Sequence, residues 1–418
     1  MICGNILPDQ MPGEDPPRSY VVIGAGVLGA SVAARLAEAG AGVTLLEQAR
    51  PGRAATGSSF AWLNANDKKP RAYHELNHAG MRAWAALAAR PGGEAWYRPA
   101  GNIEWAASAA GHARLTARVR RLAGWGYPAR LIGAAEAAEL EPSLRLPSSL
   151  PGVAWFPSEG YLLTERLVNQ LVGLAVQHGA TVLTGEPGRV TGLDAAGGAV
   201  RAVLTAAGQA IPADVVVCCA GRWVPGLVAL AGTGLAGTGL AGTGLAGTGL
   251  AGATGPVPLV PWATPGAAAP GLMVRAGPVT APGPARVVHA PQVYLRPHSG
   301  GLEHLEALDA AVDLHTPDAD LRRWAEELLR RARRVVDGLD GASVAGYRVC
   351  VRPMPADGRS IVGPLPGAGG LYVAVTHSGV TLAAHLAQLI TTELLSGKPA
   401  AELTPYRPDR FAATAAPA

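Results

Sequence analysis

"SYVVIGAGVLGASVAARLAEAGAGVTLLEQ", Ser19 to Gln48, changes its hydrophobic period twice. Tyr20–Ile23 is a run of β-favouring apolar residues. Ala30–Ala39 carries helical spacing, and Val43–Leu46 is a second apolar run that ends at Glu47. The expected order is strand, glycine-rich turn, helix, strand. The turn reads GAGVLG, with Gly24, Gly26 and Gly29 in GxGxxG register. Gly24 permits the tight turn, Gly26 lets backbone approach a pyrophosphate, and Gly29 lets helix pack closely on strand. The helix N-terminus adds N–H groups and partial positive charge for phosphates. Glu47 follows Gly29 by 18 residues, where an acid accepts hydrogen bonds from ribose hydroxyls and repels a 2′-phosphate. The pattern alone is weak. In this context it reads as a dinucleotide site for NAD or FAD, against an ordinary αβ turn with a surface acid.

The remaining composition narrows the class. The chain has 418 residues, 49% of them hydrophobic, enough for two domains. The net charge is +4, and the densest basic stretch, Leu321 to Arg334, mixes acids at helical spacing. That is a solvated helix face rather than a nucleic-acid surface. Cys3, Cys218, Cys219 and Cys350 form no CxxC pair, which argues against a disulfide framework and against a metal site. Residues 1–18 are acidic and proline-rich without an apolar run. They read as a disordered leader, with Met11 as an alternative start, and the default location is cytoplasmic.

Further along, helices are expected over His74–Arg90, up to about Ala123, from Thr164, over Asp318–Val336 and over Thr381–Leu395. Tyr97–Ser108 reads as one strand. Arg189–Gly221 reads as short hairpins leading into a buried strand, Val215–Cys219. That strand ends in Ala220 and Gly221, small residues past which a second part of the same cofactor can lie. Leu371–Thr376 ends in Thr376-His377-Ser378-Gly379, again a strand, a small-residue turn and a helix start. A helix N-terminus there stabilises negative charge on a reduced flavin ring as well as on phosphate.

These segments, with "ATGSSFAWLNA" and "YRVCVRPMPADGRSIVGP", stand in an order that resembles the D-amino-acid-oxidase-like (DAO) family of FAD-dependent oxidoreductases, relatives of glycine oxidase, sarcosine oxidase and the D-amino acid dehydrogenases. The resemblance covers most of 19–399 outside a central repeat. It implies an α/β fold: a discontinuous Rossmann-like FAD-binding domain over 19–95, 155–228 and 345–418, and an α+β substrate domain with a mainly antiparallel sheet over 96–154 and 256–344. It implies that Gly24, Gly26, Gly29 and Glu47 hold the ADP half of FAD and that Thr56, Gly57, Ser58 and Ser59 form the loop beside flavin and pyrophosphate. By the same resemblance, Val190 lies near the adenine, Ala220 and Gly221 approach the cofactor, and Gly379, Val380 and Thr381 place N–H groups at the flavin pyrimidine edge.

The implied reaction is hydride transfer from a carbon bearing nitrogen, in an amine or amino acid, to flavin N5. The imine then hydrolyses, and oxygen or another acceptor reoxidises the flavin. Arg352 lies where many members clamp a substrate carboxylate; it either does so or braces its loop through Asp357, and Arg348 competes for the role. His377 is a candidate catalytic group or a locally satisfied histidine. Cys350 lies where sarcosine-oxidase-like members bond covalently to flavin, but "RPMPADG" follows the non-covalent members, so the expected FAD is non-covalent and Cys350 a buried strand residue. Over 256–314 polar side chains are few, and Tyr294 and Arg296 are the clearest substrate-facing candidates. An NAD-linked dehydrogenase leaves the "THSGVTLAAH" element unexplained. A flavin-binding member without amine turnover stays open, as do the oligomeric state and the choice of oxidase or dehydrogenase.

Leu230–Gly252 repeats LAGTG inside 52 residues without a charge or histidine, Trp223 to Val274. The glycine content and flanking prolines argue against a membrane span, and four copies are too few for a solenoid core. Residues 229–255 read as a low-complexity loop, with Gly232–Gly252 a surface excursion between cofactor strand and substrate sheet; loop-closure entropy makes such lengthening cheap.

Overall fold

The computed structural model describes residues 18–147, 150–232, 257–281, 283–306 and 309–414. The leader expected over residues 1–18 lies outside them except for Arg18, and of the loop expected over 229–255 only 229–232 are described, as the end of the helix Val224–Gly232 rather than as loop. The opening motif folds as strand Ser19–Ile23, helix Val27–Glu38 and strand Gly42–Glu47.

These strands belong to a six-stranded sheet in the order Ile361–Pro364, Leu371–Val375, Val215–Cys218, Ser19–Ile23, Gly42–Glu47, Thr181–Thr184. Every neighbouring pair is parallel except the edge pair of Ile361–Pro364 with Leu371–Val375. A parallel sheet is covered on both faces, and its central strands therefore read as continuous apolar runs. Tyr20, Val22, Leu45, Val217 and Ala374 pack under the helices Val27–Glu38, Arg71–Ala88, Thr164–Gln177 and Gly379–Ser396. On the other face Val21, Ile23, Val216 and Val373 meet a small antiparallel sheet (Val190–Ala196, Ala199–Thr205, Ala210–Pro212) and the helix Val224–Gly232.

The chain leaves Ser19–Ile23 for a neighbour on one side, while Val215–Cys218 takes the other side. A crevice opens at the carboxyl ends of strands at such a switch point. Ile23 pairs with Cys218, so the first two strand ends are level, and Cys218 pairs with Val373, two residues before the third strand ends at the same edge of the sheet. Gly24–Gly26, Cys219–Gly221 and Thr376–Gly379 therefore emerge side by side.

The second large sheet has eight strands, ordered Ser343–Val351, Pro270–Gly277, Leu302–Glu306, Val293–His298, Val287–Ala290, Asn102–Glu104, Val153–Phe156, Arg130–Ile132. It is antiparallel except between Val287–Ala290 and Asn102–Glu104. Leu272, Val274, Val288, Leu295 and Leu305 form its apolar face under the helix Asp318–Arg333. Met273, Val287 and Cys350 point the other way and join the core beneath the cofactor-side helices. The run expected as a single strand over Tyr97–Ser108 is two short strands, Tyr97–Arg98 and Asn102–Glu104, in different sheets. Gly101 turns the chain between them at φ +73°, and a Cβ there would overlap the Trp155 ring. We propose placing the domain divisions after Phe156 and Val351 rather than at 155 and 345, because both strands are hydrogen-bonded within the eight-stranded sheet.

The helices Arg71–Ala88 and Gly379–Ser396 approach closely at Gly80, where a Cβ would overlap the carbonyl oxygen of Thr381 in the first turn of the C-terminal helix. Propensity alone makes Gly→Ala in a helix favourable by about 1 kcal/mol. Here overpacking dominates, and Gly80→Ala is expected to destabilise by about 1–3 kcal/mol. Thermal melting of the flavin-loaded protein should show a lowered Tm, and a flavin titration of the stripped protein a weaker cofactor affinity. An unchanged Tm would mean that this helix crossing yields easily.

Candidate active site

A cleft of about 1170 Å³, part of it open to solvent, runs along these strand ends. It brings together Gly24, Gly26, Glu47, Thr56, Ser59, Val190, Ala220 and Gly221 with Cys350, Arg352, His377, Gly379 and Val380. At one end Gly24 turns at φ +97°, and a Cβ on it would stand 2.8 Å from the Cys219 carbonyl oxygen. Gly26 starts the helix without a capping side chain, and a Cβ there would have only Thr56 Oγ1 near it, at 3.3 Å. Val27 N donates to that same Oγ1 at 3.0 Å, so Thr56 braces the first turn. Glu47 Oε2 accepts from Ala25 N (3.0 Å) and Oε1 from Ala49 N (2.9 Å). Burial raises its pKa while these two N–H groups oppose the rise. Each carboxylate oxygen keeps a lone pair for a ribose hydroxyl.

At the other end the helix Gly379–Ser396 begins without a side-chain cap. Ser378 Oγ is buried with no partner, and a Cβ at Gly379 would meet only Thr376 Cγ2 at 3.8 Å. Bare backbone at a helix N-terminus suits negative charge. His377 is exposed at the wall of the cleft. Desolvation by the surrounding protein, with Lys68 and Arg352 nearby, lowers its pKa to about 3 and keeps it neutral. Arg352 Nε donates to Ala269 O (3.0 Å), and Nη2 to Ala268 O and Pro270 O (3.3 Å each). Asp357 does not brace it; that carboxylate binds Arg359 and Arg410. One edge of the Arg352 guanidinium is therefore fixed by carbonyls, without a carboxylate. Burial pushes the Cys350 thiol up to about 12. A backbone cradle free of Cβ atoms, a ribose-facing acid and a bare helix N-terminus across the cleft fit FAD.

Six expected site residues lie outside the cleft lining, Gly29 in the packing role expected of it. A Cβ at Gly29 would overlap the Gly24 carbonyl, so this glycine serves helix–strand packing, and Gly57 lies against Gly52 O. Ser58 Oγ donates to Ala54 O at 3.3 Å and accepts from Arg348 Nη1 at 3.4 Å. Thr381 Oγ1 donates to Trp62 O (3.3 Å) and accepts from Asn64 N (3.4 Å), which ties the Phe60–Asn66 stretch to the helix start. Arg296 is 1% exposed; Nε donates to Phe60 O, Nη1 to Pro297 O (2.8 Å), and Nη2 bonds His304 Nδ1 (3.0 Å). It holds the loop from behind and lies outside the cleft. Tyr294 also lies outside it, with its ring 4.2 Å from that of His289.

Two residues escaped the sequence reading. Arg222 lines the cleft with its guanidinium 4.1 Å from the Trp223 ring and 4.9 Å from that of Trp262. Its adjacency to Gly221 was the available signal. Glu159 is fully buried. Its Oε2 accepts from Trp62 Nε1 (2.9 Å), Asn102 Nδ2 (3.1 Å) and Asn66 Nδ2 (3.3 Å), and its Oε1 is hydrogen-bonded to Tyr127 OH (2.7 Å). In "PSEGYL" it reads as a turn acid. Burial raises its pKa to about 8 against these hydrogen bonds.

The family model described as DAO, FAD dependent oxidoreductase, matches residues 19–393. The chain is 33% identical over 253 residues to the tRNA 5-methylaminomethyl-2-thiouridine biosynthesis bifunctional protein MnmC of Chromohalobacter salexigens, a match covering 56% of this chain and 34% of that protein. The chain thus spans about a third of the length of that relative. It is 26% identical over 419 residues to the uncharacterized oxidoreductase YurR of Bacillus subtilis, covering 94% of this chain and 98% of the relative. The solved L-proline dehydrogenase from P. horikoshii superposes with a TM-score of 0.77 at 18% identity, over 96% of this chain and 99% of that one. At that identity the likeness is one of fold. Among the described residues, no helix is long and apolar enough to cross a membrane.

Glu159 generates a pH prediction. Its folded pKa, about 8, lies above the ordinary value of 4.5, so between those pH values the folded state holds a proton that the unfolded chain has released. Stability from this group therefore falls as pH rises through that window and levels off above about 8. Denaturant unfolding at several pH values should show this decline in the wild type and a flatter profile in Glu159→Gln, which keeps an acceptor oxygen. An identical slope in both would assign the pH dependence to another group.

Proposed function

The chain belongs to the DAO family of FAD-dependent oxidoreductases, and from that premise we propose that it oxidises a C–N bond of an amine or amino acid. Arg352 carries this reading. It lines the cofactor cleft at the end where His377 and the bare helix N-terminus lie, and no acid neutralises it within salt-bridge distance among the described residues. A substrate carboxylate would complete its hydrogen bonding with a charge-assisted pair. The likeness in fold to a protein titled L-proline dehydrogenase supports the same class.

FAD, when bound, supplies a two-electron acceptor for the hydride that leaves the carbon bearing nitrogen. Gly24, Gly26 and Glu47 would hold its ADP half, with the Thr56 and Ser59 loop, Val190, Ala220 and Gly221 along its length. The N–H groups of Gly379 and Val380 would hold negative charge at the pyrimidine edge. Arg352 would fix the substrate carboxylate and so the reacting carbon. His377, kept neutral, is able to take a proton from a substrate ammonium before hydride leaves. The imine then hydrolyses in water. The Cys350 thiol stays protonated at neutral pH, which supports non-covalent FAD, since the thiolate is the reactive form. The three cysteines among the described residues, all buried and free, suit the reducing cytoplasm proposed as its location.

Anaerobic mixing with a panel of amines and amino acids should bleach the flavin with at least one amino acid, and re-exposure to oxygen or an artificial acceptor should restore the colour. Arg352→Gln should raise KM for that amino acid about 100-fold while changing little for amines without a carboxylate. No bleaching by any member of the panel would sink the C–N reading and favour a flavoprotein without amine turnover. Acid precipitation should release the flavin into the supernatant; colour retained in the pellet would establish a covalent bond.

A further inference from the structure

A second cavity of about 1250 Å³, part of it open to solvent, lies across the Phe60–Lys69 stretch from the cofactor cleft. The separation follows from the contacts of that stretch. Trp62 and Asn64 bond to Thr381 beside the cleft, whereas Asp67 and Lys69 line the second cavity. We propose that this cavity is a second ligand site, for a small oxyanion that carries its own N–H or O–H donor.

The charge of the walls is the first observation. The helix Ala109–Gly124, capped by Ser108 through Gly111 N (3.1 Å), places Arg114, Arg118 and Arg121 at i, i+4 and i+7. That spacing makes one stripe, and all three side chains line the cavity with Lys69 opposite. Two acids face them, Asp67 and Glu104, and Glu104 is already engaged in an ion pair with Arg118. Arg114, Arg121 and Lys69 have no salt bridge among the described residues. Arg121 has its guanidinium 5.5 Å from the Trp125 ring, and its Nε is buried without a hydrogen bond. A stripe of arginines on an exposed helix would ordinarily be a solvated face. Here it closes over a concave space with a surplus of positive charge.

His289 supplies the second, independent observation. It is 3% exposed and belongs to the same cavity wall, and its Nε2 is buried without a partner. Its Nδ1 is 2.7 Å from Asn102 Oδ1. The direction of that bond is fixed by the groups behind it. Trp62 Nε1 can only donate, so Glu159 Oε2 is an acceptor; the proton Glu159 holds at neutral pH lies on Oε1 toward Tyr127 OH, which donates onward to Met81 Sδ, and Asn102 turns its NH₂ toward Oε2. Asn102 therefore presents its carbonyl to His289, Nδ1 carries the proton, and Nε2 carries the lone pair. Burial and the nearby Arg118 keep the ring neutral, so the lone pair is retained. The wall thus combines cations that lack an anion with a buried acceptor that lacks a donor. Hydrogen phosphate satisfies both, and so does a hydroxy- or amino-carboxylate. Sulfate and a simple carboxylate have no proton to give at neutral pH and satisfy only the cations.

Isothermal titration of the flavin-loaded protein at neutral pH with inorganic phosphate, sulfate, glycolate and acetate tests this. Saturable binding is expected, with phosphate preferred over sulfate, and glycolate over acetate, by about fivefold, the worth of one neutral hydrogen bond. Whichever of phosphate and glycolate binds tighter names the source of the oxyanion. Arg121→Gln should weaken that ligand about tenfold with flavin content unchanged. His289→Phe should remove the preference within each pair. Should that buried variant fail to fold, the phosphate-to-sulfate ratio of the unaltered protein decides the role of Nε2. The proposal is overturned if none of the four ions gives saturable heat, if sulfate binds as tightly as phosphate and acetate as tightly as glycolate, or if binding is lost in Arg352→Gln and kept in Arg121→Gln.

Discussion

Parallel pairing brings the carboxyl ends of three adjacent strands, Ser19–Ile23, Val215–Cys218 and Leu371–Val375, to one edge of the sheet, the first two level and the third two residues longer, and the cofactor cleft depends on this arrangement. Because the strands run the same way, each hands over to a turn at the same edge of the sheet. Those turns are built from Gly24-Ala25-Gly26, Cys219-Ala220-Gly221 and Thr376-His377-Ser378-Gly379. A one-residue slip in either ladder would exchange the two faces of a strand that is apolar on both sides and misalign the turns. Close contact among the turns also explains the glycines. The Gly24 backbone is so near Cys219 and Ala220 that a side chain would force the first two strands apart.

The stretch from Phe60 to Lys69 is the second determinant of the site, and its anchors are unusual in kind. It is not held by apolar packing alone. Arg296 binds its first carbonyl from the interior, Thr381 binds its middle, and Glu159 collects N–H donors from Trp62 and Asn66. Burying a carboxylate and a guanidinium is costly unless their hydrogen bonds are complete. Glu159 makes four, and each of the three guanidinium nitrogens of Arg296 has an acceptor. A satisfied polar interior specifies one conformation more sharply than interchangeable apolar contacts do. That suits a loop standing between the cofactor cleft and the second cavity.

The parts of this architecture legible in the sequence are those encoded by neighbours along the chain. The period change at Ser19–Gln48, the glycine spacing and the small residues after Val215–Cys218 each state a local geometry, and the cleft gathers Gly24, Gly26, Glu47, Ala220 and Gly221 as that geometry requires. What escaped depends on partners far away in sequence. The alternation along Val293–His298 turns Tyr294 and Arg296 away from the apolar face, but no pattern reveals that the carbonyl of Phe60 and the imidazole of His304 occupy Arg296. The Asp357 brace was a reasonable local pairing for Arg352. It lost to Arg410, 53 residues further along. Gly101 divided an apparently continuous strand because the Trp155 ring lies where its side chain would be.

Electrostatics tie the cleft to its proposed chemistry. At the end near Cys350, Arg222, Arg352 and Arg348 all act to stabilise a negative charge on that thiol, yet burial dominates and the thiol remains protonated. Glu306, next to Arg352, is pushed toward its neutral form by the same burial. The uncompensated charge at this end is therefore positive: guanidinium groups, a helix N-terminus and no ionised cysteine. Such a region resists a cationic ligand and favours an anionic one, and the preference strengthens as water is excluded by a bound cofactor. A zwitterionic amino acid can satisfy it with its carboxylate on Arg352 while its amine meets neutral His377, whose lowered pKa removes the repulsion that an imidazolium would impose. In the proposed reaction, a charged clamp paired with a neutral hydrogen-bonding histidine would orient the substrate, carboxylate toward the arginine and nitrogen toward the imidazole.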